Sequence, residues 1–232
     1  MIKTIGNTPA VCLKRIVPPD AAEVWVKIEG VNPTGSYKDR MALAMVEGAE
    51  TEGVLDKKLR LLECTGGSTG TSLAFVCAVK GYPFTIITSD AYAREKIDSM
   101  RAFGAEVLIE PSKGGRITPD LWPRMRQRAE DLVGAGDHYW LDQFNNPYAS
   151  IGYRAMGDEL IAQVPNVDGL VFHAVEVLET PLGYPALERH LSSLEPGDHS
   201  VPVGSHIQPH VSHRIADGNA VGSRKRNIPR IA

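Results

Sequence analysis

The sequence predicts an α/β fold: a parallel, twisted sheet covered by helices on both faces, spread over residues 1–175. Three observations lead there. Short apolar stretches with strand character are followed, again and again, by stretches with helical periodicity. The loops between them are short, as strand–helix–strand crossovers require. Glycines sit just past the ends of the helical stretches, at Gly81 and Gly104, where a left-handed C-terminal residue stops a helix. From Glu176 onward this texture ends. The last 57 residues hold five of the seven histidines, six of the sixteen prolines and a single aromatic residue, Tyr184. Their one helix-like stretch is Ala186–Leu194, and they are poorly suited to burying a core of their own.

Taken in order, Val24, Val26 and Ile28 alternate with bulky or charged neighbours and read as a strand. Asn32-Pro33 breaks it. Ser36 reads as a helix N-cap with Asp39 three residues on, and the helix continues through Met41–Ala49. Arg60–Cys64 is a short apolar strand that runs into Thr65-Gly66-Gly67-Ser68-Thr69-Gly70, and a helix spans Thr71–Lys80. Strand Phe84–Thr88 precedes helix Ala93–Phe103, and strand Glu106–Ile109 precedes helix Pro119–Val133. His138–Leu141 is a further strand, Pro147–Val164 a helix, and Gly169–Val175 an apolar strand. There is no internal repeat.

Composition narrows the function. With 43% apolar and 23% charged residues, the chain has the balance of a globular protein. A net charge of −3 gives no reason to expect nucleic acid or an anionic membrane as partner. No apolar run reaches the ~18 residues of a membrane span, and the N-terminus lacks the apolar segment of a secretory signal. Three cysteines, Cys12, Cys64 and Cys77, form neither an even disulfide set nor a metal-ligand spacing, so a cytoplasmic location is expected. His206, His210 and His213 have helical spacing, but Pro209 lies among them and no metal site is expected. The basic run Arg224-Lys225-Arg226 is too short to suggest nucleic acid.

Two loops could carry chemistry, both beyond the carboxyl ends of strands, where open parallel sheets bind ligands. The first, Asn32 to Arg40, puts Lys38 in the first turn of a helix, where the dipole disfavours a cation. The same field, with desolvation, lowers a lysine pKa and frees the amine to act as a nucleophile toward a carbonyl. Position alone would make Lys38 an ordinary surface lysine. The second loop, Thr65–Gly70, offers backbone N–H groups and hydroxyls to an anion at a helix N-terminus. It is neither a Walker A loop nor a dinucleotide fingerprint, and a carboxylate fits it as well as a phosphate.

Taken together, the motifs resemble the cysteine synthase and cystathionine β-synthase family. Ile5-Gly6-Asn7-Thr8-Pro9, Lys27-Ile28-Glu29, Asn32 to Arg40, Glu63 to Gly70, Asp142-Gln143-Phe144-Asn145-Asn146-Pro147, Gly152-Tyr153-Arg154 and Gly157-Asp158-Glu159 occur in that family's order and spacing, over residues 1 to about 175. The resemblance implies a fold-type-II, tryptophan synthase β-like enzyme that uses pyridoxal 5′-phosphate. It implies that Lys38 forms the Schiff base with the cofactor, and that Thr65, Gly67, Thr69 and Gln143 grip the carboxylate of a small amino-acid substrate. It further implies a homodimer, with residues 38–145 forming a smaller mobile domain. Residues 1–37 and 146–175 would form part of a larger, cofactor-binding one, and 176–232 an atypical tail. The implied reaction is β-replacement or β-elimination on a serine-derived amino acid, most simply O-acetylserine and sulfide giving cysteine and acetate. Cystathionine synthesis, serine or threonine dehydration, and a truncated non-catalytic chain are the alternatives.

The sequence departs from the family at two places. The family loop usually reads Thr-Ser-Gly-Asn-Thr-Gly, and here Gly66 and Ser68 replace its serine and asparagine. Ser68, the position implied to touch the cofactor ring, has too short a side chain for the asparagine's contact. After Val171–Val175, where the family places a glycine- and threonine-rich phosphate loop, the chain reads Glu176-Val177-Leu178-Glu179, whose two acids would repel a phosphate. The codons for Val175-Glu176-Val177-Leu178-Glu179, read one base back, are compatible with Gly-Gly-Thr-Gly. A change of reading frame and a genuine divergent tail are the two accounts of this segment.

Overall fold

The computed structural model describes residues 1–56, 58–164, 167 and 169, all within a unit spanning Met1–Gly197. The expected strand Gly169–Val175 beyond its first residue, the tail with its histidines, and the acids at 176 and 179 lie outside the described residues. Among the described residues the elements are β1 (Ala10–Cys12), β2 (Trp25–Lys27), α1 (Lys38–Thr51), β3 (Arg60–Cys64), α2 (Ser68–Lys80), β4 (Phe84–Ser89), α3 (Arg94–Ala102), β5 (Glu106–Glu110), α4 (Leu121–Gly134), β6 (His138–Trp140) and α5 (Pro147–Gln163).

Strands β3 to β6 form one sheet in the order β5-β4-β3-β6, every pair parallel, as the strand–helix alternation predicts. Alternation along β3 and β4 divides the core. Leu61, Phe84 and Ile86 pack with Met41, Met45 and Val46 of α1, Leu73 and Phe75 of α2, and Met100 of α3. Leu62, Cys64 and Ile87 pack on the other side with Leu121, Met125 and Ala129 of α4. Both faces are therefore covered, and all six residues of β4 are buried. Gly81 and Gly104 take positive φ values of 75° and 86°, so the C-terminal stops fall where the glycines placed them.

Two local expectations are corrected. The strand around Val26 does not join the parallel sheet. As β2 it pairs antiparallel with β1, Val11 opposite Val26. Three-residue strands carry too little periodicity for β1 to announce itself. Ser36 is not the N-cap of α1. The helix begins at Lys38, with Tyr37 before it, and Ser36 Oγ accepts from the Lys38 N–H at 3.2 Å. Asp39 does not close a capping box, because its carboxylate turns to Thr34, accepting from that residue's N–H at 2.8 Å and from its hydroxyl.

Candidate active site

The order β5-β4-β3-β6 contains a reversal. From β3 the chain steps outward to β4 and β5, then returns to place β6 on the opposite side of β3. The loops leaving β3 and β6 therefore diverge, opening a crevice at the carboxyl edge of the sheet. The first of these loops is Thr65–Gly70. The second is the turn at Asp142, a non-glycine residue at φ 47°. Asn145 Nδ2 donates to Asp142 Oδ2 at 2.7 Å, and Asn146 caps α5 by accepting from the Tyr148 N–H at 2.9 Å, with Pro147 in the first turn. This accounts for Asp142-Gln143-Phe144-Asn145-Asn146-Pro147 as a folded unit that projects Gln143. Across the crevice, the Thr69 hydroxyl donates to Gln143 Oε1 at 2.8 Å.

Beneath both loops lies Glu63, the penultimate residue of β3, only 1% exposed. It accepts from the Cys64 N–H at 2.9 Å and Trp140 Nε1 at 3.3 Å through one oxygen, and from the Gln143 N–H at 3.1 Å through the other. Burial pushes its pKa up to about 8; these hydrogen bonds oppose the rise without cancelling it. Burial likewise pushes the Cys64 thiol up, with Glu63 adding to the effect. A reactive thiolate is thus disfavoured at Cys64.

Around Thr65–Gly70 space is unevenly filled. A Cβ on Gly70 would lie 2.6 Å from Met100 Cε and 2.9 Å from Thr65 Cγ2, so the first turn of α2 needs glycine to pack there. A Cβ on Gly67 would meet nothing within 4 Å. Ser68 opens α2 and is half-buried, while Thr65 and Thr69 are buried. The opening N–H groups of α2, which have no intrahelical acceptors, point out of this turn.

Lys38 lies at the start of the neighbouring helix and is only 5% exposed. Its Nζ is 4.8 Å from the centre of the Tyr37 ring and 5.8 Å from that of Tyr153, on α5. The helix carrying it is held from three sides. Toward α2, Asp39 fixes Thr34, whose Oγ1 lies 3.2 Å from Ser72 Oγ. Toward β2 and α5, the buried Arg40 guanidinium spans Glu29 at 2.8 Å and Glu159 at 2.7 Å, and Lys27 Nζ also reaches Glu159 at 2.7 Å. These hydrogen bonds overcome burial and hold Glu159 well down, to about 2. Against α5 itself, Gly152 lies so close that a Cβ there would be 2.5 Å from the Arg40 carbonyl oxygen.

Thr69 and Gln143 are thus joined directly, Thr65 flanks them, and Lys38 stands on a helix bound to α2, which carries Thr69, through Asp39, Thr34 and Ser72. A buried amine at a helix N-terminus, walled by two tyrosine faces beside a loop of open N–H groups, fits an aromatic aldehyde cofactor and a carboxylate-bearing substrate. The residues implied to hold the cofactor phosphate lie beyond the described ones. Reading the residues did not single out Glu63, Tyr153 or Tyr92. Glu63 carries a signal as the one acid in the otherwise apolar end of Arg60–Cys64, and Tyr153 lies in the motif Gly152-Tyr153-Arg154.

This arrangement is that of a pyridoxal-phosphate enzyme, and the comparisons agree. The model of the family described as "Pyridoxal-phosphate dependent enzyme" matches residues 1–189, and the chain belongs to that family. Over 197 residues it is 39% identical to cysteine synthase B of Salmonella typhimurium, covering 83% of this chain and 61% of that protein. It is 40% identical to cysteine synthase B of Escherichia coli, covering 77% of this chain and 56% of the relative. A crystal structure of O-ureido-L-serine synthase superposes with a TM-score of 0.62 at 35% identity, over 71% of this chain and 50% of that one. The chain spans between half and two thirds of the length of these relatives. The α/β fold and the family's cofactor, pyridoxal phosphate, thus stand as the sequence implied.

Proposed function

We propose that this chain carries the cofactor-attaching and substrate-binding half of a cysteine synthase-like enzyme, which replaces the β-substituent of a serine-derived amino acid. The simplest form is O-acetyl-L-serine plus sulfide giving cysteine plus acetate. One observation carries the reading: the hydrogen bond from Thr69 to Gln143 that joins the two loops, with Lys38 buried on the helix bound to α2. The relatives' names, cysteine synthase B, supply the reaction class.

Pyridoxal phosphate, when bound, serves as an electron sink that stabilises negative charge at the substrate α-carbon. Lys38 is the residue to which it would attach, and Ser68 stands at the position implied to touch its ring. Thr65, Gly67, Thr69 and Gln143 would receive the substrate carboxylate: hydroxyls, backbone N–H groups and the Gln143 amide donate to its oxygens. As a free amine, Lys38 Nζ would take the substrate's α-proton. The tyrosine faces beside it limit water at that nitrogen. Residues 38–145 would act as the smaller, moving domain against 1–37 and 146–175, in a cytoplasmic homodimer.

The test is to supply the full chain with pyridoxal phosphate, O-acetyl-L-serine and sulfide and to follow cysteine formation beside a Lys38→Ala control. Cysteine from the parent and none from the variant supports the reading. Cystathionine formation or deamination of serine or threonine moves the activity to those reactions. Absence of both product and a cofactor absorption band overturns it.

A further inference from the structure

Gly66 is one of the two places where the carboxylate loop departs from the family pattern, and the backbone does not explain it. It is not among the glycines at positive φ. The reason is steric. A Cβ built on Gly66 would fall 2.3 Å from Cε1 of Tyr92 and 2.5 Å from its Cδ1 and Cζ. The Tyr92 ring occupies the volume that a side chain at position 66 would take.

Tyr92 arrives there by topology. It follows β4, the neighbour of β3 in the sheet, so its loop leaves the same carboxyl edge as Thr65–Gly70. The turn that carries it is fixed. The Tyr92 N–H donates to the Ser89 carbonyl at 3.2 Å, and Asp90 Oδ1 accepts from the Ser112 N–H at 2.7 Å. The ring packs against the cluster of Leu62, Cys64 and Ile87, which resists its displacement. Its hydroxyl lies one bond beyond Cζ, on the ring edge that replaces the missing side chain.

We propose that Tyr92 is a specificity-determining residue of this site, its ring covering the carboxylate loop in place of a side chain at position 66 and its phenol hydroxyl donating to the substrate carboxylate. This rests on the assignment of that loop to the substrate under the proposed function. A phenol is a hydrogen-bond donor of the required kind, but it stands on a wide flat ring, so the cover is bulkier than a serine's and narrows the crevice mouth. Gly66 and Tyr92 are therefore a matched pair: serine at 66 cannot coexist with the ring where it stands.

The experiment titrates the full chain, in excess pyridoxal phosphate, with two probes. L-Alanine carries the carboxylate but no leaving group, and L-alaninol has the same amine without the carboxylate. Affinity is read from tryptophan fluorescence and from the probe-induced rise in thermal midpoint. Tyr92→Phe, which keeps the ring and its packing, should weaken L-alanine about tenfold, the loss of one hydrogen bond to a charged group, and leave L-alaninol unchanged. Gly66→Ser alone should also weaken L-alanine, while Gly66→Ser with Tyr92→Ala should recover most of the parental affinity. A role in packing alone predicts no such recovery. If the parent prefers L-alanine and Tyr92→Phe does not change that preference, this proposal falls while the assignment of the loop stands. If the parent shows no preference for the carboxylate, the assignment of the loop falls and this proposal with it.

Discussion

Thr69 and Gln143 are 74 residues apart in sequence, and the hydroxyl of one donates to the amide oxygen of the other at 2.8 Å. The bond closes the crevice at the one place where the sheet order reverses, so the two loops form a single concave surface. Under the proposed function, a carboxylate entering there would accept the Thr69 hydroxyl's hydrogen bond in place of Gln143 and leave the Gln143 amide free to turn an N–H toward it, so one internal contact would give way to two with the ligand.

Lys38 should be the lysine that takes the cofactor. Lys27 and Lys80 are both held in ion pairs, at 2.7 Å to Glu159 and 2.7 Å to Glu50. Borohydride reduction with pyridoxal phosphate followed by peptide mapping should place the label on Lys38, and label on either of the others overturns the assignment. Lys38→Ala should remove the label while leaving the circular dichroism spectrum intact, since alanine suits a helix and a cation in the first turn opposes the dipole.

Ser68→Asn restores the family's side chain at the first residue of α2. It should tighten pyridoxal phosphate binding or shift the cofactor absorption band, measured by titration at constant pH. An unchanged affinity and spectrum would show that position 68 does not approach the ring.

Glu63 should make stability depend on pH with a definite sign. Its folded-state pKa, about 8, lies above the ordinary 4.5. Between those values the folded chain holds a proton that the unfolded chain has released. The free energy of unfolding therefore falls as pH rises through this window, by several kcal/mol, and levels off above it. Glu63→Gln removes the titration while keeping the single acceptor oxygen of the protonated acid. In urea titrations at pH 5.5, 7 and 9 the parent should lose stability toward pH 9 while the variant stays level, so the difference moves in the variant's favour. Parallel profiles for the two proteins would contradict the assignment.

Arg40→Ala should destabilise the chain by roughly 3–5 kcal/mol, because Glu29 and Glu159 then lose the cation buried between them. Arg40→Lys should not recover it, since one ammonium cannot span two carboxylates as the guanidinium does. The parent should lose stability in acid as pH falls from 4.5 toward the depressed Glu159 value of about 2, a loss the alanine variant no longer shows in full. Gly152→Ala should also unfold early on heating, since its Cβ meets the α1 backbone rather than a movable side chain.

The parallel sheet and its helices were legible because short apolar strands such as Arg60–Cys64 and Phe84–Ser89 are followed by helices that Gly81 and Gly104 stop. Arg60–Cys64 was read to the residue. The β1–β2 ribbon was not, because three residues hold barely one repeat of the pleat. Within the site, Lys38, Thr65, Thr69 and Gln143 were found through motifs. Their supports were not, because Asp39 bonding to Thr34, Glu63 reaching Gln143 and Tyr92 covering Gly66 are relations across loops. No periodicity encodes such contacts. Gly66 appeared only as a departure until the ring beside it gave the reason.

The two partners of Arg40 also order events during synthesis. Glu29 is 11 residues away and leaves the ribosome before it, whereas Glu159 is 119 residues further on. All four strands of the parallel sheet are made in that interval. Until α5 emerges, the guanidinium has one carboxylate rather than two, and the start of α1 lacks its clamp against Gly152. The strands of the sheet are thus all synthesised before the start of α1, with Lys38, can gain its second carboxylate and its packing against Gly152.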